Sequence, residues 1–330
     1  MRRRALGRTG IEVPHLSFGC GGTAGLMIRG DATERAAVVA ESIAKGVDFF
    51  DTSPLYGGGQ SETNLGQVLQ SLGKMPVVST KIDFAPEDAG DLAGAAQRSV
   101  RRSLERLGRE QLDILYLHSR VGRRRDLAGR VLTVEDVLGE GGIAEVLEGL
   151  QKQGLVRAIG FTALGHTDSV LSVLRSGRFD VIQAYYNLIN PSAVIPTPAA
   201  WRAQDYEQLA QVAADMDIGV VGIRVLAAGA LSDDSALHPL AKQYSSLSQA
   251  EVDADRARGG AFRSLAPDGD SMARFALRFG FNSELFDSVL VGVSERSHLE
   301  EAIAAVEASP LATATLEAID QRFRELYETA

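Results

Sequence analysis

The sequence has a single cysteine, Cys20, in 330 residues, so no disulfide can form within the chain. This points to a reducing, cytoplasmic setting. Stability must then come from the hydrophobic core, which a chain of this size can build without disulfides or a structural metal. Long apolar runs are also missing. The longest, Ile218 to Leu231, carries Arg224 at its middle and is too short to cross a bilayer. The basic start Arg2-Arg3-Arg4 is not followed by the apolar stretch of a secretory signal, because Gly7, Arg8, Thr9 and Gly10 interrupt it. Positive charge is in deficit: 34 Lys and Arg against 43 Asp and Glu leave a net charge of −9, which excludes a general polyanion binder. No group of His, Cys, Asp and Glu has metal-ligand spacing, since His15, His166, His238 and His298 are scattered. Gly57-Gly58-Gly59 is not followed by the Lys-Ser/Thr pair of a phosphate-binding P-loop, and reads instead as a turn that lets Tyr56 face a pocket.

What is present is an alternation. After a glycine-rich hairpin or cap at Leu6–Pro14, apolar runs of strand length occur at Leu16–Cys20, Val47–Asp51, Val77–Lys81 and Leu112–His118. Four more follow at Arg157–Thr162, Val181–Asn187, Gly219–Leu226 and Ser288–Ser294. Between them lie segments with helical spacing at Thr33–Lys45, Ser61–Leu72, Leu92–Leu107, Ile143–Gln153 and Asp205–Met216. Asp31 caps the first, and Gly46, Gly73, Gly108 and Gly154 end their helices. Continuously apolar strands covered by helices indicate parallel pairing. Eight such units predict an α/β fold, a (β/α)8 TIM barrel, in a single domain over residues 1–330. A doubly wound sheet is the alternative, but Gly19-Cys20-Gly21-Gly22-Thr23-Ala24-Gly25 misses its GxGxxG spacing and no helix follows directly. Long loops are expected after strand four, Arg120 to Glu140, and after strand seven, Ser232 to Gly269.

In a barrel, polar residues at strand C-termini carry the chemistry. Asp51 ends the second strand and Tyr56 lies in the loop after it; Lys81 ends the third and His118 the fourth. These four suit carbonyl reduction. Hydride arriving at a carbonyl carbon builds negative charge on oxygen, which needs a proton. A tyrosine hydroxyl can supply it, although its ordinary pKa of about 10 is high for exchange near neutrality. An ammonium close by, Lys81, favours the phenolate. Asp51 would hold that lysine, and neutral His118 would orient the carbonyl oxygen. Taken singly, each residue also reads as a cap, a loop charge or a core histidine; it is the set that carries the argument.

The stretch Gly46-Val47-Asp48-Phe49-Phe50-Asp51-Thr52-Ser53, then Tyr56-Gly57, Ser61-Glu62 and Leu65-Gly66, resembles the aldo-keto reductase signature. The resemblance continues through Ser79-Thr80-Lys81, Leu117-His118-Ser119 and Gly160-Phe161-Thr162 to Gly292-Val293-Ser294. It implies a catalytic tetrad of Asp51, Tyr56, Lys81 and His118. It also implies a nicotinamide site, with Gln183 on the carboxamide and Leu226, Gly229 and Leu231 along the pyrophosphate. Gly292, Ser294, Arg296, His298 and Glu301 would hold the adenosine end, at a helix start suited to phosphate. Gly21, Thr162 and Arg224 complete the implied cofactor set. Ser294 and Arg296 would favour NADP through a 2′-phosphate, whereas Glu295 beside them supports NAD. Three departures from the family pattern stand out: Thr162-Ala163 replaces Ser-Asn, Ile223-Arg224-Val225-Leu226 lacks the aromatic that stacks on nicotinamide, and Ala302 replaces an Asn near adenine. With Ser53-Pro54-Leu55-Tyr56, they are similar to the branch holding aldose and galactose dehydrogenases and pyridoxal dehydrogenase.

The implied activity is NAD(P)-dependent hydride transfer with a small aldehyde, ketone or sugar. The expected partner is that small molecule, with neither nucleic acid nor membrane, for a monomer or a homo-oligomer. Two other readings compete. One is a cofactor-binding regulatory subunit of the same fold, as in potassium-channel β subunits. The other is a lyase that uses Lys81 as a Schiff base. The basic loop with Arg120, Arg123, Arg124, Arg125 and Arg130 reads most simply as solvated charge, with an anionic substrate or a subunit contact as alternatives.

Overall fold

Apolar runs that cannot alternate between core and solvent must be covered on both faces, and in the computed structural model they close on themselves. The structure describes residues 1–233, 238–240 and 248–328. Strands β1 (Arg3–Ala5) and β2 (Glu12–Pro14) form an antiparallel hairpin. The barrel strands are β3 (Leu16–Gly19), β4 (Phe49–Asp51), β5 (Val77–Ile82) and β6 (Leu112–Leu117). A separate pair, β7 (Arg120–Gly122) and β8 (Val131–Thr133), comes next. Then β9 (Val156–Thr162), β10 (Val181–Tyr185), β11 (Gly219–Ile223) and β12 (Ser288–Gly292) complete the ring. The closed order is β3-β4-β5-β6-β9-β10-β11-β12, with β12 pairing back on β3 so that Gly292 faces Gly19. All these pairings are parallel, with helices between successive strands, as the (β/α)8 reading expects.

Two apolar layers hold the barrel. The larger lies between strands and helices. The smaller fills the barrel itself with Phe49, Ile114, Tyr116, Ala158, Val181 and Val221, and the hairpin supplies Leu6, Ile11 and Val13 to plug it. Gly160 belongs to that packing: a Cβ there would lie 2.7 Å from the Tyr116 ring.

Several boundaries differ from the expectations. The hairpin strands flank the turn at residues 6–11, so the first lies before Leu6. The seventh barrel strand stops at Ile223 because Arg224 takes a left-handed φ of 62°, which turns the chain out of the sheet. The helix expected at Asp205–Met216 covers only Leu209–Ala214, since Glu207 and Gln208 are left-handed before it. The loop expected over Arg120 to Glu140 contains β7, β8 and a helix, Val134–Leu138. That helix starts with a capping box: Thr133 Oγ1 accepts from the Asp136 amide, and the Asp136 carboxylate accepts from the Thr133 amide. Such short elements fall below the window in which hydrophobic periodicity is readable. The second expected loop, Ser232 to Gly269, lies outside the described residues at 234–237 and 241–247; its described part holds a helix at Gln249–Gly260. Among the described residues no helix is long and apolar enough to cross a membrane.

Candidate active site

β4 and β5 run side by side, with Asp51 opposite Ser79. Their C-terminal ends therefore bring Asp51 and Lys81 together inside the barrel rim, both side chains about 2% exposed. Lys81 Nζ donates to Asp51 Oδ2 at 2.5 Å and to the Thr52 carbonyl at 2.8 Å. The other carboxylate oxygen accepts from Ser79 Oγ at 2.7 Å and from Gln183 Nε2 at 2.8 Å. A buried carboxylate is tolerable only with such partners, and here both oxygens are satisfied.

Tyr56 is carried by the loop from β4 into the helix Gln60–Leu72. Three consecutive glycines, Gly57, Gly58 and Gly59, follow it with φ of 65°, 63° and 91°. A Cβ on Gly57 would lie 2.7 Å from Ile28, so this turn needs both the left-handed freedom and the space. The helix beyond is anchored deeply. Glu62, fully buried, accepts from Thr80 Oγ1 at 2.6 Å and from Arg106 Nε at 2.6 Å. Ser61 Oγ reaches the Cys20 carbonyl at 3.0 Å. With its loop fixed, Tyr56 packs against Gly21, and the Lys81 ammonium lies 4.9 Å from its ring centroid. His118, just past β6, meets the Tyr56 ring edge-on at 6.3 Å between centroids.

His118 is held by its backbone amide, which donates to the Ile82 carbonyl at 2.8 Å. Its Nδ1 makes no hydrogen bond among the described residues. Asp83 Oδ2 lies 3.7 Å away, too far for one. Burial, reinforced by Lys81 and three arginines, pushes the imidazole well below the usual histidine range, so it is neutral near pH 7. Burial raises the Asp83 carboxyl, against hydrogen bonds from Ser119 and the Phe84 amide that lower it. Asp83 was not among the residues expected from sequence, although it stands two positions after Lys81 at the end of β5, the spacing that returns a strand to the same face.

One cavity of about 710 Å³ opens above these groups. All eight barrel strands, or the loops that follow them, contribute to its wall. It brings together Asp51, Tyr56, Lys81 and His118 with Gly21, Thr162, Gln183, Arg224, Leu226, Gly229, Gly292, Ser294, His298 and Glu301. Two expected residues do not reach it. Leu231 is fully buried in the core, where it fills the space left by Gly259. Arg296 starts the helix Arg296–Glu307 but turns its guanidinium to Glu41 and Glu300, at 2.8 and 3.0 Å. His238, named only as a scattered histidine by sequence, lines the cavity and pairs with Glu295 at 3.1 Å. Nothing in its local sequence marks it, because its place depends on a loop returning across the barrel. Among the described residues no cluster of His, Cys, Asp or Glu could hold a metal.

With that geometry in place, comparison with known proteins is decisive. Residues 15–323 match the aldo/keto reductase family. The chain belongs to the aldo/keto reductase family. This aldo/keto reductase is 30% identical to an L-galactose dehydrogenase of Arabidopsis thaliana, over 92% of this chain and 87% of that protein. It is 28% identical to a D-threo-aldose 1-dehydrogenase of a Pseudomonas species, over 59% of this chain and 64% of the other. The holo form of an aldo-keto reductase from Bacillus halodurans superposes with a TM-score of 0.72 at 21% identity, covering 98% of this chain and 96% of that one, which shows the shared fold. The family membership supports oxidoreductase activity. The departures from the family pattern are now visible as contacts. Ala163 is buried and supplies no side-chain amide, whereas Thr162 Oγ1 donates to Gln183 Oε1 at 3.2 Å. Gln183 is therefore engaged at both ends of its amide, by Thr162 and by Asp51.

Proposed function

We propose that this aldo/keto reductase is an NAD(P)-dependent enzyme, a single domain over residues 1–330 acting in the cytoplasm. It moves a hydride between nicotinamide and the carbonyl or alcohol carbon of a small aldehyde, ketone or sugar, with Tyr56 as general acid and base. The observation that carries this reading is the stack at the cavity floor. Asp51 and the Thr52 carbonyl hold Lys81, whose ammonium lies 4.9 Å from the Tyr56 ring centroid with His118 at the ring edge.

A nicotinamide, when bound, supplies the hydride in reduction and takes it in oxidation. Tyr56 then gives its hydroxyl proton to the carbonyl oxygen as the carbon–oxygen π pair moves onto that oxygen. Lys81 stabilises the phenolate left behind, and Asp51 keeps the ammonium in place. His118, neutral through burial, orients the oxygen by hydrogen bonding without repelling a neighbouring cation. Oxidation reverses the proton's path.

The cavity, at about 710 Å³, falls in the size range of small-molecule and cofactor sites, which supports this reading. In the loop after β11, Arg224, Ala227 and Ala228 have φ of 62°, 46° and 57°. Such backbone costs about 1 kcal/mol or more per residue and is characteristically kept where a ligand is gripped. Gly21, Thr162, Gln183, Arg224, Leu226, Gly229, Gly292, Ser294, His298 and Glu301 would hold the cofactor. NADP is the expected form, with Ser294 in the wall and Arg296 beside it on the helix start. Because Glu41 and Glu300 already engage Arg296, NAD is the close alternative.

Titration of NADPH and NADH fluorescence, followed by turnover on an aldehyde and sugar panel, tests this reading. Tyr56→Phe should lower kcat by about 10²- to 10⁴-fold while both cofactors still bind. Unchanged turnover in that variant would overturn the assignment of Tyr56. Binding without turnover on any substrate would favour a regulatory subunit instead.

A further inference from the structure

The basic stretch between β6 and the helix Val134–Leu138 divides in two. Arg123 and Arg125 turn away from the cavity, to Asp168 and Asp136. Arg120 and Arg130 line it, next to His118. The fold brings these two together: Arg120 is opposite Val131 in the β7–β8 pair, and its amide donates to the Arg130 carbonyl at 2.8 Å. Arg130 closes a turn in which Asp126 and Val131 exchange backbone hydrogen bonds of 2.9 and 2.7 Å and Asp126 Oδ1 accepts from the Gly129 amide at 3.0 Å. Its φ is 56°, an unusual conformation for an arginine and one that this turn enforces.

Asp83 links the arginine to the reaction centre. Its Oδ2 lies 3.6 Å from Arg130 Nη1 and 3.7 Å from His118 Nδ1. The guanidinium is therefore no more than two such contacts from the imidazole that would orient the reacting oxygen. One carboxylate does not neutralise two guanidinium groups, and the Arg120 side chain makes no ion pair among the described residues. Arg224, just past β11, also lines the cavity. Burial lowers the basicity of His118 most, and Lys81 and these arginines lower it further. In a chain of net charge −9 this is a local reversal of sign inside a cleft, where walls of low dielectric focus the field.

We propose that Arg120 and Arg130 form an anion subsite, and that the substrate is a carbonyl compound, or the corresponding alcohol, bearing a carboxylate or phosphate within a few bonds of the reacting carbon. The inference rests on the reading above that the carbonyl reacts between Tyr56 and His118. Guanidinium groups are suited to either anion through paired hydrogen bonds.

Matched substrates test it. 4-Oxobutanoate is compared with 4-oxobutanamide, and glyceraldehyde 3-phosphate with glyceraldehyde, under NADPH and NADH. The charged member of at least one pair should have the higher kcat/KM by about 10-fold or more, and the better pair tells carboxylate from phosphate. Arg120→Gln and Arg130→Asn should each cut that charged-to-neutral ratio by about 10- to 100-fold, mainly through KM. Arg120→Lys, which keeps the charge but not the paired hydrogen bonds, should fall between wild type and Arg120→Gln. In parallel, calorimetric titration of succinate and inorganic phosphate into the protein reads the subsite without turnover. Loss of succinate or phosphate affinity in Arg120→Gln supports the subsite even if no substrate of either pair turns over, a result that would count against the catalytic reading alone. Equal use of charged and neutral members, or arginine variants that leave the ratio and both anion affinities unchanged, would overturn the proposal.

Discussion

The two ends of the cavity are built differently. At the Tyr56 end, the charged pair is fixed by buried contacts between barrel strands: Asp51 accepts from three side chains, and Lys81 is held at two oxygens. At the far end, the residues sit on helix starts and loops, tied by more open contacts such as the ion pairs of Arg296 with Glu41 and Glu300 or the hydrogen bond between His238 and Glu295. Gln183 is the junction, reaching Thr162 on one side and Asp51 on the other. The contrast teaches that buried, fully bonded support is concentrated at the end where the proposed proton transfer would need a short, defined path. Binding surfaces tolerate looser support, because their geometry is completed by the ligand.

The sharpest way to break this contrast is at Lys81. Lys81→Met leaves the Asp51 carboxylate buried without its cation, and should cost about 3–5 kcal/mol of stability along with most of the turnover. Adding Asp51→Asn to that variant should recover part of the stability and none of the activity. Chemical denaturation of the single and double variants decides it; additive losses would show that the pair is not coupled.

A smaller effect is expected from His118. Its basicity in the folded protein is depressed, so its contribution is fully present above the unfolded value of about 6.5. As pH falls below that value, the unfolded chain takes up a proton that the native state refuses, and stability drops by at most about 1.4 kcal/mol per pH unit. His118→Gln should remove this component, so the melting temperatures of wild type and variant should diverge between about pH 8 and pH 5, with wild type losing more. His15, also depressed by burial, is present in both proteins and cancels in the difference. Parallel curves would mean that His118 does not carry this slope.

The smallest effect belongs to Arg296, whose side chain is 64% exposed. Arg296→Ala should leave stability close to that of wild type. It should shift the ratio of NADPH to NADH dissociation constants by only a few-fold. A shift of a hundred-fold would mean that the adenosine end is as firmly specified as the catalytic end.

Some of this was readable residue by residue. Asp51, Lys81 and His118 could be found because a parallel barrel sends strand C-termini to one rim, so three strand ends in sequence are neighbours in space. Leu92–Leu107 was readable to its last residue because Asp91 and Gly108 mark both ends. By contrast, β7 and β8 have three residues each, too few for any period, though the Thr133–Asp136 capping box was there to be read. Asp83 was not marked because the run expected for this strand ends at Lys81, while the same-face spacing carries on to Asp83.

The barrel, and the four residues proposed for catalysis, were legible in the sequence because strand and helix periodicity and residues at strand ends are local properties that topology then maps to one rim. Only the tertiary structure decided which charges face that rim. Of the five arginines in one basic segment, two line the cavity and two pair with Asp168 and Asp136 outside it, and Arg296 is taken by Glu41 from another helix. Long charged side chains settle on whichever partner the packed elements bring near, and that choice is made across the fold, where no local pattern records it.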